Sequence, residues 1–543
     1  MEVPSEIDSP SNSLLSPLKA RKIDPIESIA TGNLQHLSEE ESQPPRFHRA
    51  TVGIRDDLSS LSIRIGDQYV RSNQYEKERF KQKLSELPKV EKIEDNQLEA
   101  LNRFISSHYS EWERLATSGE VLTFKKNPSN SSPPLTIEVF KGELGQLHIM
   151  VQLPVVKKMK AGSKIVIPSI DWNSGESYAK LVSRRHLNFK ELRKEFTQED
   201  AAFKKVGPKP GIYSPFVGLH TYETTKIDRG DQTITKTRMI TYQRFANQGN
   251  LDEFLKKTAS IKDFFTKGRM YRSIMRQLSD GVCDLHNIHM SHGDINFGNV
   301  LVQSSKENQV SARLSDLATA KEIRTDRPMS VIEFVTHGND LFNSPEKELY
   351  GQLYTDYKRA RTSQLNKLDD EKINKLFNKM LDKMNEQEKQ YIKNLLNLKD
   401  FSKLSRQKKI DIILAIDVER FFAPLQKELK KSVFASDVWA LGIVFSELNP
   451  PPRKKGQEKV PLGSLIATIR GAVFDALEEK KINYSKPLSP RDVKKLRDKI
   501  SSNLQKTMKE FHGDTHLIKD MLQTDFNKRP NASEVAQAIS QIG

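Results

Sequence analysis

The chain has 543 residues, with 87 lysines and arginines against 71 aspartates and glutamates, a formal net charge of +16. That length holds one large domain, or two or three average ones, with a substantial core, which excludes a fibrous chain or one disordered throughout. A single cysteine, Cys283, excludes an internal disulfide and any cysteine-built metal site, suits a reducing compartment, and on its apolar helix reads as core packing.

In chain order, residues 1–30 lack a basic segment followed by an apolar one, so no secretory signal is expected. No run of eighteen apolar residues occurs, so no transmembrane segment is expected either. Residues 1–60 are rich in Ser, Pro and Glu and read as a mobile N-terminal tail, with a packed arm as the alternative. Over residues 61–120 the spacing of Phe80, Leu84 and Leu87, then of Leu98, Leu101, Phe104 and Ile105, predicts a helical extension packed on the next part of the chain. From Val121 the pattern becomes β-branched and period-two. Ile137–Phe140, Leu147–Val151 and Ile165–Ile167 read as strands, separated by turn signals at Lys141-Gly142, Ala161-Gly162-Ser163 and Asn173-Ser174-Gly175. Leu187 to Val206 reads as a helix, followed by a Pro/Gly break, short strands to Phe245, and a mostly helical remainder. A small sheet with one helix, joined to a larger helical body, predicts two lobes with a cleft between them.

The densest chemical signal is Ser291-His292-Gly293-Asp294-Ile295-Asn296-Phe297-Gly298-Asn299, directly before the apolar run Val300-Leu301-Val302. Asp294 and Asn299, on one loop, can point into one pocket. The carboxylate can orient a hydroxyl and accept its proton, and the carboxamide oxygen can ligate a divalent ion. A second short strand, Arg313–Ser315, ends in Asp316, and a turn between the strands would bring Asp316 beside Asn299. Oxygen ligands of this kind suit Mg²⁺ held against substrate phosphates. The plain alternative is a loop that uses Asp, Gly and Asn only to turn.

The segment resembles the catalytic loop of eukaryotic-type Ser/Thr protein kinases, and Asp316-Leu317-Ala318 resembles their metal-binding Asp-Phe-Gly. Further motifs come in family order. Asn343-Ser344-Pro345-Glu346 resembles the close of the activation segment, with Gly338-Asn339 before it. Asp437-Val438-Trp439-Ala440-Leu441-Gly442 resembles the helix under the catalytic loop, and Asn527-Lys528-Arg529-Pro530 the closing Arg motif. The resemblance spans roughly residues 145–543 and implies an α+β, bilobal protein-kinase-like fold. In that plan residues 121–245 form the N-lobe and 246–543 the C-lobe, with a long helical, basic insertion at 347–431.

The resemblance also implies ATP and Mg²⁺ as cofactors, with roles for particular residues. Asp294 is the catalytic carboxylate, and Asn299 and Asp316 hold the metal. Lys180 holds phosphates and is fixed by Glu199, with Glu195 as the spare and Lys157 or Lys158 as the competing lysines. Gly162 is the one glycine of a degenerate phosphate loop, and Gly142 to Gly145 resembles part of such a loop. His292, Leu317 and Phe203 form an apolar stack, Asp437 holds the catalytic loop, and Glu346 and Arg529 serve structure. Leu301 lines the adenine side, and the hinge lies in Tyr242–Phe245. Gly293 stands where the family has Arg, so activity should not require a phosphorylated activation loop, with Thr319, Thr325, Ser330 and Thr336 as its hydroxyls. Asn296 replaces a Lys that contacts the transferring phosphate, and Ala318 replaces a Gly.

The expected function is phosphorylation of Ser or Thr hydroxyls on a protein partner. The alternatives are a catalytically silent scaffold and a small-molecule kinase, since the His-Gly-Asp spacing also occurs in kinases of small alcohols. Lys347–Ile410 carries sixteen basic against nine acidic residues, +7, and is expected to dock the protein substrate. Lys430-Lys431 and Arg453-Lys454-Lys455 read as solvated turns, and no zinc pattern or aromatic-basic surface predicts specific nucleic-acid binding. The departures and the insertion resemble kinases that intracellular bacteria deliver into host cells. That implies a cytoplasmic protein, or one secreted into a host cytosol without a signal peptide, with virulence as its context.

Overall fold

A computed structural model describes residues 67–87, 90–91, 93–116, 121–126, 135–141, 145–154, 159–161, 164–183, 198–199, 201–207, 209, 211–212, 215–229, 232–304, 309–323, 329–335, 340–396, 398–450, 461–512 and 516–541. The expected tail of residues 1–60 lies outside them, as do Gly142, Lys157, Lys158, Gly162, Glu195, Thr325, Thr336, Gly338-Asn339 and Arg453-Lys454-Lys455.

Two helices lead in, α1 (Asp67–Glu86) and α2 (Asp95–Leu115). A capping box starts α2: the Gln97 side chain accepts from the Glu94 backbone N–H at 2.8 Å, while the Glu94 side chain meets the N–H three positions on. Leu98, Leu101, Ile105 and Trp112 are buried at helical spacing.

The strands are β1 (Leu122–Lys126), β2 (Leu135–Lys141), β3 (Leu147–Gln152), β4 (Met159–Ala161), β5 (Lys164–Asp171), β6 (Ser177–Ser183), β7 (Pro215–Arg229) and β8 (Gln232–Arg244). They form one antiparallel sheet in the order β1-β2-β3-β5-β6-β8-β7, with β4 on β5. Strand alternation divides the side chains by face. Ile137, Val139, Ile149, Val151, Ala179 and Leu181 join a cluster with Phe80, Leu98 and Trp112 of the two helices. Phe80 meets Trp172 at 5.2 Å and Trp112 meets Phe124 at 4.8 Å. Phe140, Met150, Tyr178, Val182 and Tyr242 form a separate cluster.

After β6 the chain is helical at 198–199 and 201–206 (α3), where Phe203 and Val206 join the main core of the helical lobe. It then crosses α5 (Phe264–Asn287) at a glycine contact. A Cβ on Gly281 would lie 2.6 Å from the Gly211 carbonyl oxygen, so neither residue can carry a side chain there. The crossing is locked where Leu314 N donates to Gly211 O at 2.9 Å. Past β8 come β9 (Gly249–Asn250) and α4 (Leu251–Thr258), whose N-cap Asn250 accepts from Glu253 N at 3.0 Å. Along α5, Tyr271, Ile274, Leu278, Val282 and Leu285 are buried against the rest of the helical lobe.

Short strands β10 (Met290–Ser291), β11 (Val300–Ser304), β12 (Val310–Leu314) and β13 (Lys321–Glu322) come next, then α6 (Val331–Val335). Four further helices are α7 (Pro345–Asn366), α8 (Asp370–Asp382), α9 (Glu386–Leu396) and α10 (Arg406–Phe422). Ile373, Met380 and Met384 are buried with Leu365, Ile410 and Ile413 in a cluster of their own. The chain ends through α11 (Gln426–Leu448), α12 (Leu462–Lys480), α13 (Pro490–His512), α14 (His516–Met521) and α15 (Ala532–Gln541). The architecture is a mixed α+β one, a sheet-rich lobe followed by a helical lobe, consistent with a kinase-like fold. Among the described residues no helix is long and apolar enough to cross a membrane.

Candidate active site

The loop between β10 and β11 is held from below by one carboxylate. Asp437, on α11, is 3% exposed and accepts from His292 N at 2.8 Å, from Gly293 N at 2.9 Å, and pairs with His286 Nε2 at 3.0 Å. Burial alone would raise its pKa. The hydrogen bond and charge of His286, with His292 and the Gly293 N–H, outweigh that and hold it below the usual carboxylate value.

Gly293 has φ +77°, a backbone that L side chains rarely adopt, and a Cβ there would sit 3.1 Å from Thr319 O. The loop presses on the segment after Asp316: Thr319 Oγ1 donates to His292 O at 2.9 Å. Glycine at this position therefore has a local reason in the packing, and the Thr319 hydroxyl is already engaged. Ser330, another of the expected hydroxyls, is buried and donates to Glu419.

Asn299 Nδ2 donates to Asp294 Oδ2 at 2.8 Å and to Asp294 O at 2.9 Å. The structure thus brings the two residues together and turns the Asn299 carboxamide oxygen away from the carboxylate. Asn296 shapes the same turn. Its Oδ1 accepts from Gly298 N at 2.8 Å and Asn299 N at 3.2 Å, and its Nδ2 donates to Asp294 O at 3.1 Å. Asn296 caps the turn Phe297–Asn299 and is committed to the loop.

The β11–β12 hairpin pairs Val300 with Leu314, and Ser315 donates to Asn299 O through both N (2.8 Å) and Oγ (3.0 Å). Asp316 comes directly after, in left-handed backbone at φ 64° and ψ 68°. For a non-glycine residue that is a strained conformation of the kind concentrated at functional sites. Ala318 lies in the short 3₁₀ turn Leu317–Thr319, a backbone that alanine adopts freely, so nothing there calls for a glycine. Leu317 and Phe203 share the core of the helical lobe, and fully buried His292 meets Ser315 O through Nε2 at 3.2 Å. Val300 and Val302 are buried, whereas Leu301, between them, is only half-buried on the opposite face.

Lys180 does not receive the expected partner. Buried Lys180 pairs through its ammonium at 2.5 Å with Glu138 of β2, and Tyr242 Oη donates to the other Glu138 oxygen. Burial, then the charge of Glu138, pushes the Tyr242 hydroxyl well above its usual pKa. Glu199 is buried on α3, but Glu138 is the carboxylate that meets Lys180. The physical reason is strand alternation: Glu138 and Lys180 both lie on the sheet face that carries Phe140, Tyr178 and Tyr242. Glu138 went unremarked in the sequence, although a carboxylate inside the apolar strand Ile137–Phe140 is its signal. The expected hinge continues the sheet: Lys180 is in register with Tyr242, and Phe245 N donates to Ser177 O at 2.9 Å.

Glu346 and Arg529 meet as a fully buried bidentate pair at 2.5 and 2.7 Å, 183 residues apart in sequence. Arg529 also donates to Ala435 O at 3.0 Å and Gln523 O at 2.7 Å, and stacks over Trp439 at 4.9 Å. Asp294 opens onto a recess lined by Thr319, Lys321, Phe334, Phe342, Asn343 and Lys347. Among the described residues no cluster of three or more His, Cys, Asp or Glu offers a metal cage, so any ion here would rest on few protein oxygens.

The model of the lipopolysaccharide kinase (Kdo/WaaP) family matches residues 183–331, from the end of β6 through the catalytic-type loop and Asp316 to the first residue of α6. No curated protein matches the chain. Over the matched stretch the chain is similar to a kinase-like family named for lipopolysaccharide, a match that lends no support to the eukaryotic-type Ser/Thr kinases or delivered effectors that its motifs first suggested.

Proposed function

We propose that the chain is an ATP- and Mg²⁺-dependent phosphotransferase whose acceptor is a hydroxyl on a small, sugar-bearing molecule. The observation that carries this reading is the joined pair Asp294 and Asn299, with strained Asp316 on the next strand, inside the stretch similar to the lipopolysaccharide kinase family. Asn299 and Asp316 supply hard oxygens, the donor type that Mg²⁺ takes when substrate phosphates complete its shell. Bound Mg²⁺ would neutralise charge on the transferring phosphate.

In this reading Asp294 orients the acceptor hydroxyl and takes its proton, and Asn299, by donating to Asp294, fixes the carboxylate's direction. Asp437 keeps the loop from moving, because both of its oxygens are spent on loop N–H groups and on His286. Lys180 remains the phosphate-side cation of the small lobe, held by Glu138 in place of Glu199. The recess beside Asp294, with Lys321 and Lys347 in its walls, is where the acceptor would lie.

A protein hydroxyl is the second reading. It draws on the Glu346–Arg529 pair and on Asp437, which resemble protein-kinase features and lie outside the matched residues, and it keeps residues 347–431 as the docking element. Radiolabelled ATP offered with lipopolysaccharide sugars, and separately with cell proteins, tests both readings against Asp294→Ala. Label on the glycan that depends on Asp294 supports the first, and label on proteins alone supports the second. No Asp294-dependent transfer to either leaves the scaffold reading in their place.

A further inference from the structure

Among the described residues, the two most exposed large apolar side chains are neighbours in sequence. Phe264 and Phe265, at the start of α5, retain 81% and 82% of their accessible surface, against 54% for the next, Phe474. Side chains that keep four-fifths of their area protrude from the fold and line no groove. Their position is fixed. Asp263 caps α5 by accepting from Phe265 N at 3.0 Å and also binds the Thr266 hydroxyl, so the first turn is firmly wound. The two rings lie edge to face at 6.5 Å, and burial along α5 begins only further on, at Tyr271.

The surroundings are basic. Between Asp252 and Arg272 there are six lysines and arginines against three acids, Asp252, Glu253 and Asp263, a balance of +3. Lys256 pairs with Asp252 at 2.5 Å and Asp263 is spent on its own cap, while Lys262, Arg269 and Arg272 are exposed. Two protruding aromatic rings framed by cations are the composition that enters the headgroup region of an anionic bilayer. The rings supply apolar area and the cations meet lipid phosphates. The exposed cations around the rings favour an anionic lipid surface over a neutral apolar partner.

We infer that the α4–α5 corner is a membrane-contact point, with Phe264 and Phe265 inserting into the interface of an anionic lipid surface. This rests on the corner alone and holds whatever the acceptor of the active site.

The test is flotation of the full chain with vesicles of phosphatidylcholine alone and of phosphatidylcholine mixed with phosphatidylglycerol. The wild type is expected to float with the anionic vesicles, and less as salt is raised. Phe264→Ser/Phe265→Ser should lower the bound fraction about tenfold, because the inserted apolar area supplies much of the binding. Lys262→Glu/Arg269→Glu should abolish the preference for anionic lipid, and Phe474→Ser should change nothing. All these side chains are exposed, and unchanged circular dichroism and melting temperature check the fold. Failure of the wild type to float, or equal flotation of the double serine variant, overturns the proposal. So does a vesicle-free dimer, seen in sedimentation velocity, that the serine variant dissolves, because the rings would then serve a second copy of the chain.

Discussion

Replacing Asp437 by Ala should loosen the loop that carries Asp294 more than any other single change beneath it. Asp437 accepts two buried backbone N–H bonds, at 2.8 and 2.9 Å, and meets His286 at 3.0 Å. An orphaned buried donor costs about 1–3 kcal/mol, and hydrogen bonds to a charged group contribute at the upper end of the usual range. Two orphaned donors, partly relieved by entering water, put the local cost at about 3 kcal/mol. By the tenfold-per-1.4 kcal/mol relation that is about a hundredfold faster amide exchange at His292 and Gly293. Hydrogen exchange read by mass spectrometry on the peptide covering residues 286–300 measures it directly. The pH dependence has a definite sign. The folded pKa is depressed, so this contribution is complete above the unfolded carboxylate value, near pH 4, and is lost as pH falls through the lower folded value. Unchanged exchange at His292 and Gly293 in Asp437→Ala would refute the reasoning.

Neighbouring geometry sets three further outcomes. Gly293→Ala should cost about 1–2 kcal/mol in chemical denaturation, because φ +77° disfavours an L side chain and the Cβ meets Thr319 O at 3.1 Å; no loss of stability would show that the loop is not wound this way. For the Glu346–Arg529 pair, Arg529→Met should destabilise by about 3–5 kcal/mol, since it strands a buried carboxylate; adding Glu346→Leu should recover part of that loss, and strictly additive costs would argue against a coupled pair. Burial raises Glu419 from 4.5 to about 7, with Ser330 donating to it and Glu333 nearby. A raised acid favours the fold below its unfolded pKa, and that contribution is lost as pH rises through about 7, so Glu419→Gln should melt higher than wild type at pH 8 and the same at pH 4.

The catalytic-type loop was legible in the sequence because its geometry is local. Asp294 and Asn299 share one turn, and the Val300–Leu314 hairpin is short enough for spacing alone to bring Ser315, the residue before Asp316, against Asn299. The helical patterns were legible for the same reason, as in Leu98, Leu101 and Ile105 on one face of α2. The partner of Lys180 was not legible. Glu138 lies 42 residues away, on a strand separated from β6 by β3 and β5, and only the folded sheet puts both side chains on one face. A family-like separation pointed instead to Glu199, which spacing alone cannot distinguish from a buried acid with other duties. Asn296 and Gly293 read in the sequence as departures from the protein-kinase pattern, Gly293 as one that frees activity from a phosphorylated loop. The folded loop gives each a structural use, one as a cap and one as a turn under Thr319, which residue type alone does not disclose. The acceptor was the least legible feature, because motifs shared across kinase-like folds describe how phosphate is held and say little about what receives it.

The central claim is that Asp294, Asn299 and Asp316 act on one magnesium nucleotide, and single-turnover phosphate transfer from ATP to a lipopolysaccharide sugar tests it most directly. Wild type should transfer phosphate only with Mg²⁺ present. Asp294→Asn should lose at least about a hundredfold in rate with nucleotide affinity little changed, as for loss of a general base. Asp316→Asn should weaken the dependence on Mg²⁺ itself. Transfer at the wild-type rate by Asp294→Asn, or transfer indifferent to Mg²⁺, would contradict the account.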